Sequence, residues 1–198
     1  GVNMRTYKEQ FESETVAQIE EIIGKLESIS YPTGPSRYYG LDLVMCLKSG
    51  ALAGSMVVAS ALMELFVRGL IVRYTENAQN GWSNKVEAEI ELESMRRLNF
   101  KEMLKHLTKV KLFDEQDADN AIKLYETVRI PMHHGLPSRL LGRDKEGPFD
   151  SFRTLLGLES TVSMNDFERH IEYEGLSTIN EIVSIIKNNQ YVLNDTYA

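Results

Sequence analysis

Arg129 is a cation on a face that should be apolar. At about 100° per residue, Ala118, Ala121, Ile122, Tyr125, Val128 and Met132 share one arc of a helix, and Arg129 projects into it between Ala118 and Ile122. A guanidinium on a buried stripe is expensive without a counter-charge, and arginine does not lose its proton near neutral pH. It must therefore meet an acid, a ligand, a cleft or a second subunit. Glu64, inside the most apolar stretch of the chain, is the obvious acid, although Glu64 and Arg68 are spaced i, i+4 and could satisfy each other instead. Beyond Arg129, Pro131 disfavours helical geometry at Ile130 and removes one backbone donor. The helix is expected to end or kink there, so that Met132, His133, His134 and Gly135 can swing back toward the guanidinium. A cation that holds anionic oxygens, beside an imidazole that moves protons, is chemistry suited to a phosphate diester. Adjacent histidines point in different directions, so only one of His133 and His134 is expected to share a cleft with Arg129. Arg139, Arg143 and Lys145 form a basic island, either a track for a nucleic-acid backbone or a solvated loop with local ion pairs.

Other chemistries find less support. The single cysteine, Cys46, lies between Met45 and Leu47, which favours an inert buried thiol and excludes both an intramolecular disulfide and a multi-cysteine zinc site. Two adjacent histidines with no carboxylate or thiol at a suitable interval make a poor metal site. No Walker loop, dinucleotide fingerprint or nucleophile elbow is present, so no cofactor is expected. His106 and His170 sit among charged residues and read as solvated. Tyr38 and Tyr39, beside Arg37, could stack on a base but read better as packing residues.

The chain that must position Arg129 has 198 residues, 42% hydrophobic and 26% charged, which is ordinary for one globular domain. The net charge of -7, from 22 Lys+Arg against 29 Asp+Glu, argues against a general nucleic-acid coat protein but leaves room for one local basic cleft. The cysteine usage fits a reducing compartment, and a cytoplasmic location is expected. The apolar run from Gly50 to Val67 approaches the length of a membrane span. Its glycines, its serines and Glu64 instead favour a central helix buried by its neighbours, and no membrane partner is expected.

Helical periodicity dominates and no strand alternation appears. Apolar spacing predicts a helix over about 7–29, and Pro32, Gly34 and Pro35 stop it. A second helical stretch runs from about Arg37 to Tyr74 with a break near Gly50, and a polar connection follows from Asn77 to Asn84. The acidic segment 85–95 reads as a solvated helix or an excursion. Asn99 can cap a helix over Phe100–Val110, and Asp114, with Asp117 three residues on, opens one that reaches about Arg129. Residues 135–150 read as a long loop. Ser163 and Asp166 precede a last helix over Phe167–Ile186. The sum is one all-α domain over 1–198, a bundle of four long helices with additional short helices.

With these residues in place, the chain resembles the HEPN superfamily, helical bundles marked by an arginine followed after four to six residues by a histidine. Arg129-Ile130-Pro131-Met132-His133-His134-Gly135 is similar to the motif form Arg-Asn-Pro-x-x-His-Gly. Arg129 takes the arginine place and His134 the histidine place, and Pro131 and Gly135 match as well. Ser60–Leu65 resembles the acid-bearing central helix of such domains, and Asn99–Asp114 the segment that leads into the motif helix. The likeness covers about 40–140, with flanking N- and C-terminal helices. It departs from active members at Ile130, where a polar residue, often Asn, is usual.

The resemblance implies a homodimer with two motif helices facing across a cleft. It also implies a metal-independent endoribonuclease in which Arg129 stabilises the charged transition state and His134 transfers protons. His133 and Glu64 would then be supporting residues, and Arg139, Arg143 and Lys145 RNA contacts. A cognate antitoxin or a nucleotidyltransferase is the kind of partner expected. Many relatives are non-catalytic, so the alternative is a nucleotide-binding or protein-assembly helical module.

Overall fold

Gly50 sets a tight turn between two helices of the bundle. It adopts φ +74°, a left-handed conformation open to glycine at no steric cost, and Ala51 N–H and Gly50 N–H donate back to the carbonyls of Cys46 and Leu47. Both bonds close a Schellman cap that ends one helix and releases the next. The structure is a computed structural model, and it describes residues 5–79, 94, 97–130 and 174–190. Among them every regular element is helical: α1 (Tyr7–Gln10), α2 (Ser13–Glu27), α3 (Gly34–Lys48), α4 (Leu52–Gln79), α5 (Phe100–Lys109), α6 (Glu115–Leu124), a π-helical segment (Tyr125–Arg129) and α7 (Leu176–Asn188).

The long central helix α4 packs against α3, α5, α7 and the π-helical segment, while α2 lies on α3 and α7. Leu52–Thr75 is apolar and long enough, by length and composition alone, to cross a membrane. Its neighbours account for that character: Met56, Leu62, Met63, Phe66, Val67, Leu70 and Ile71 are all buried inside the bundle. From the other helices, Ile19, Ile22, Leu43, Leu47, Met103, Leu107, Ile179, Ile182 and Ile186 complete the core. The all-α helical bundle expected from periodicity is what is observed.

Three details differ from the sequence expectation. The first helix is two: Phe11 is extended (φ -119°, ψ 157°) and α2 starts after Glu12, while the Gln10 side chain donates to the Ser49 carbonyl at 3.0 Å across the α3–α4 turn. The central helix runs to Gln79 and so takes in part of the expected polar connection. Tyr38 and Tyr39, read as packing residues, are both exposed, and Tyr38 shares an apolar outer face of α3 with Leu41 and Met45. The acidic segment 85–95 lies outside the described residues apart from Ser94. The loop 135–150, the cap at Ser163 and Asp166 and the first part of the last helix lie outside them as well.

The two ends of the bundle are tied by polar groups. Lys25 Nζ on α2 donates to Asn180 Oδ1 on α7 at 2.8 Å. Asn189, just past α7 and almost fully buried, accepts from Asp114 N–H at 2.7 Å and donates to Asp117 Oδ2 at 2.7 Å. It thereby fixes the start of α6, where Asp114 also caps the Asp117 N–H at 2.9 Å. Asn189→Ala should leave these groups unmatched and cost about 1–3 kcal/mol in urea unfolding. A change within about 0.5 kcal/mol, the range of an ordinary surface substitution, would mean that the clamp contributes nothing.

Candidate functional site

The helix that carries Arg129 begins regularly and ends wide. Past Leu124 the backbone passes into the π-helical segment, and Ile130 N–H donates to the Tyr125 carbonyl, five residues back. The sequence supplies a reason. In a regular α-helix Pro131 would face the Thr127 carbonyl with no N–H to give and a ring that collides with it. The π-turn falls directly before that proline, and such turns often mark functional positions. The buried stripe is narrower than the apolar residue types suggest. Ala118, Ala121, Leu124 and Val128 are buried, whereas Ile122, Tyr125 and Arg129 lie at its margin. Arg129 therefore stands beside the core, not in it.

At that margin Arg129 meets the acid anticipated for it. Its Nε donates to Glu64 Oε2 on α4 at 3.0 Å, and the two side chains are 22% and 23% exposed. The other carboxylate oxygen, Oε1, lies 3.8 Å from Nη2 of Arg68, one turn along α4. One carboxylate thus stands between two guanidiniums. Glu64 takes only the Nε edge of Arg129. Among the described residues no acceptor bonds its two terminal Nη groups, and neither is sealed from solvent. Such a group, anchored on one side and open on the other, is arranged to receive an oxyanion through two parallel N–H donors.

The ring of Tyr125 borders the cluster. It stacks on Phe100, the first residue of α5, with ring centroids 4.4 Å apart and planes 14° from parallel. Burial raises the pKa of its phenol, and Glu64 adds to the rise while Arg129 and Arg68 oppose it. Sequence reasoning placed Tyr125 on the packing stripe and missed this neighbourhood. The available signal was its position four residues before Arg129, one turn away on the same side.

The remaining candidates divide clearly. His133, His134, Arg139, Arg143 and Lys145 lie outside the described residues. Cys46 is partly exposed, yet burial and Asp42 push its thiol upward, which keeps it protonated and a poor nucleophile. His106 is not the solvated group its sequence context suggested. It sits edge-on to Tyr74 at 5.3 Å, with Nε2 buried and unpartnered. No group of three or more His, Cys, Asp or Glu side chains able to hold a metal ion occurs among the described residues.

The ion pair has a measurable strength. A fully buried pair loses about 3–5 kcal/mol when one partner is removed, and an exposed pair is worth about 1 kcal/mol or less. With about a fifth of each side chain in solvent, and Arg68 as a second partner for Glu64, a double-mutant cycle over Glu64→Gln and Arg129→Gln should return a coupling of about 1–2 kcal/mol. Strict additivity would show that the two groups do not interact in solution.

Set beside known proteins, the chain matches no family model, no curated protein and no solved structure.

Proposed function

We propose that this chain is a HEPN-like module that binds a phosphate diester of RNA at Arg129 and cuts the chain there without a metal, as a homodimer. The observation that carries this reading is the partly buried guanidinium, tied by Nε to Glu64 and, among the described residues, unbonded at both Nη groups. In the proposed reaction the ribose 2′-oxygen attacks the adjacent phosphorus, its proton passes to a base, and the bond to the 5′-oxygen breaks as that oxygen takes up a proton. His134 moves the protons and Arg129 stabilises the charge that gathers on the phosphate oxygens. The products are a 2′,3′-cyclic phosphate and a free 5′-hydroxyl. Arg139, Arg143 and Lys145 would lie along the RNA backbone, and a cognate antitoxin or a nucleotidyltransferase would be the protein partner.

The test is incubation of the purified chain with RNA in excess chelator. Cleavage should persist and leave cyclic phosphate ends, and 2′-O-methyl RNA of the same sequence should stay intact. Two observations favour a second reading, a non-catalytic nucleotide-binding or assembly module: the Arg129–Glu64 pair closes within one chain, and Ile130 stands where active relatives carry a polar residue. On that reading the chain binds RNA or a nucleotide at Arg129, and no cut product appears at any chelator concentration.

A further inference from the structure

The chemistry of Tyr125 is not used up by its packing. Phe100 is buried and begins α5 under a complete capping box, in which Asn99 accepts from Glu102 N–H and Glu102 accepts from Asn99 N–H, each at 3.0 Å. A ring stacked on so fixed a neighbour has little freedom, so the direction of its hydroxyl is set. Tyr125 opens the π-turn that Arg129 closes, and the Ile130 N–H bond to the Tyr125 carbonyl holds both on one turn of backbone. Among the described residues the Tyr125 hydroxyl has no hydrogen-bond partner, and it is not sealed from solvent. It lies within electrostatic reach of Glu64, Arg129 and Arg68. A phenol that served only to fill the core would gain nothing from its oxygen, whereas a protonated phenol beside a guanidinium is a neutral donor that an anion can use.

We propose that Tyr125 Oη is a second donor to the oxyanion held by Arg129, so that the site recognises phosphate by a positioned hydroxyl as well as by charge. This rests on the reading of Arg129 as the phosphate-binding group. Phe100 acts as a positioning residue behind Tyr125, and the π-turn brings hydroxyl and guanidinium to one side of the helix.

The experiment measures binding of a fluorescein-labelled 2′-O-methyl oligouridylate, which a 2′-hydroxyl attack cannot cut, over a series of salt concentrations. Tyr125→Phe keeps the ring and its stack and removes one donor. It should weaken binding about 3–10-fold at every salt concentration. Its salt slope and melting temperature should match those of the parent, because no charge is lost. Arg129→Gln should weaken binding and also flatten the salt slope, since a phosphate contact disappears. If Tyr125→Phe binds like the parent while Arg129→Gln has lost binding, the role of the hydroxyl is refuted and the Arg129 site stands. If Arg129→Gln binds like the parent, the Arg129 site falls and the hydroxyl proposal with it. A Tyr125→Phe protein whose melting temperature drops with its affinity would assign the hydroxyl a structural role and overturn the proposal.

Discussion

Arg129→Gln and His134→Ala should each reduce RNA cleavage by about a hundredfold or more while leaving a folded protein. A preorganised donor aimed at developing oxyanion charge commonly contributes about 100–1000-fold in rate, and a positioned general acid or base about 100–10,000-fold. On the proposed reading the two substitutions remove one group of each kind. Arg129→Gln is the more informative, because the loss can be separated from damage to the fold. Glu64 keeps Arg68 as a neighbour, 3.8 Å from its other oxygen, so the carboxylate is not left without a cation. Both variants should still unfold in one cooperative thermal transition, Arg129→Gln lower by a few degrees for the about 1–2 kcal/mol of its ion pair, with product ends counted in excess chelator. Undiminished cleavage by either variant would remove that residue from the reaction. Glu64→Gln should act more mildly, since it loosens the anchor at Nε and leaves both terminal groups of Arg129 in place.

The largest effect on stability should come from the middle of α4. Phe66→Ala removes most of a fully buried aromatic side chain from the helix on which α3, α5, α7 and the π-turn converge. Deletions of this kind cost about 3–5 kcal/mol, because the transfer energy of the lost atoms adds to the cavity they leave. Phe66→Leu fills much of the same space and should cost less. Urea unfolding followed by circular dichroism measures both, and an unchanged slope would show that the loss belongs to the native core. A Phe66→Ala loss below about 1 kcal/mol is the size expected of a site that is not close-packed, and it would displace α4 from the centre of the bundle.

Much of this arrangement was legible in the sequence where a single residue type forces a local conformation. Gly50 announced the break between α3 and α4 because a left-handed turn needs glycine, and Asn99 announced the start of α5 because its side chain can accept from an orphan amide of the first turn. Glu64 was legible as the partner of Arg129 because an acid in so apolar a run needs a cation. The π-turn was not legible in a wheel drawn at constant pitch. Leu124 was missed for a simpler reason: it sits on the same side as Ala121 and Val128 before the π-turn begins, so the buried stripe centres on those three and leaves Arg129 at its edge. The break at Phe11 was hidden for a related reason, since Phe11 keeps the apolar spacing of its neighbours while its backbone is extended. Tyr38 and Met45 face outward although their types favour burial, because which side of α3 meets α2 and α4 is decided by tertiary packing. The neighbourhood of Tyr125 likewise depends on Phe100, which is distant in sequence and close only once α5 and the π-turn have packed.

The most direct measurement is a crystal structure of the protein bound to a 2′-O-methyl oligoribonucleotide. It should show a phosphate oxygen about 3 Å from a terminal nitrogen of Arg129, with Nε still bonded to Glu64. A bound oligonucleotide whose phosphates all lie away from Arg129, or an Arg129 whose terminal groups are both bonded within the chain, would contradict the account.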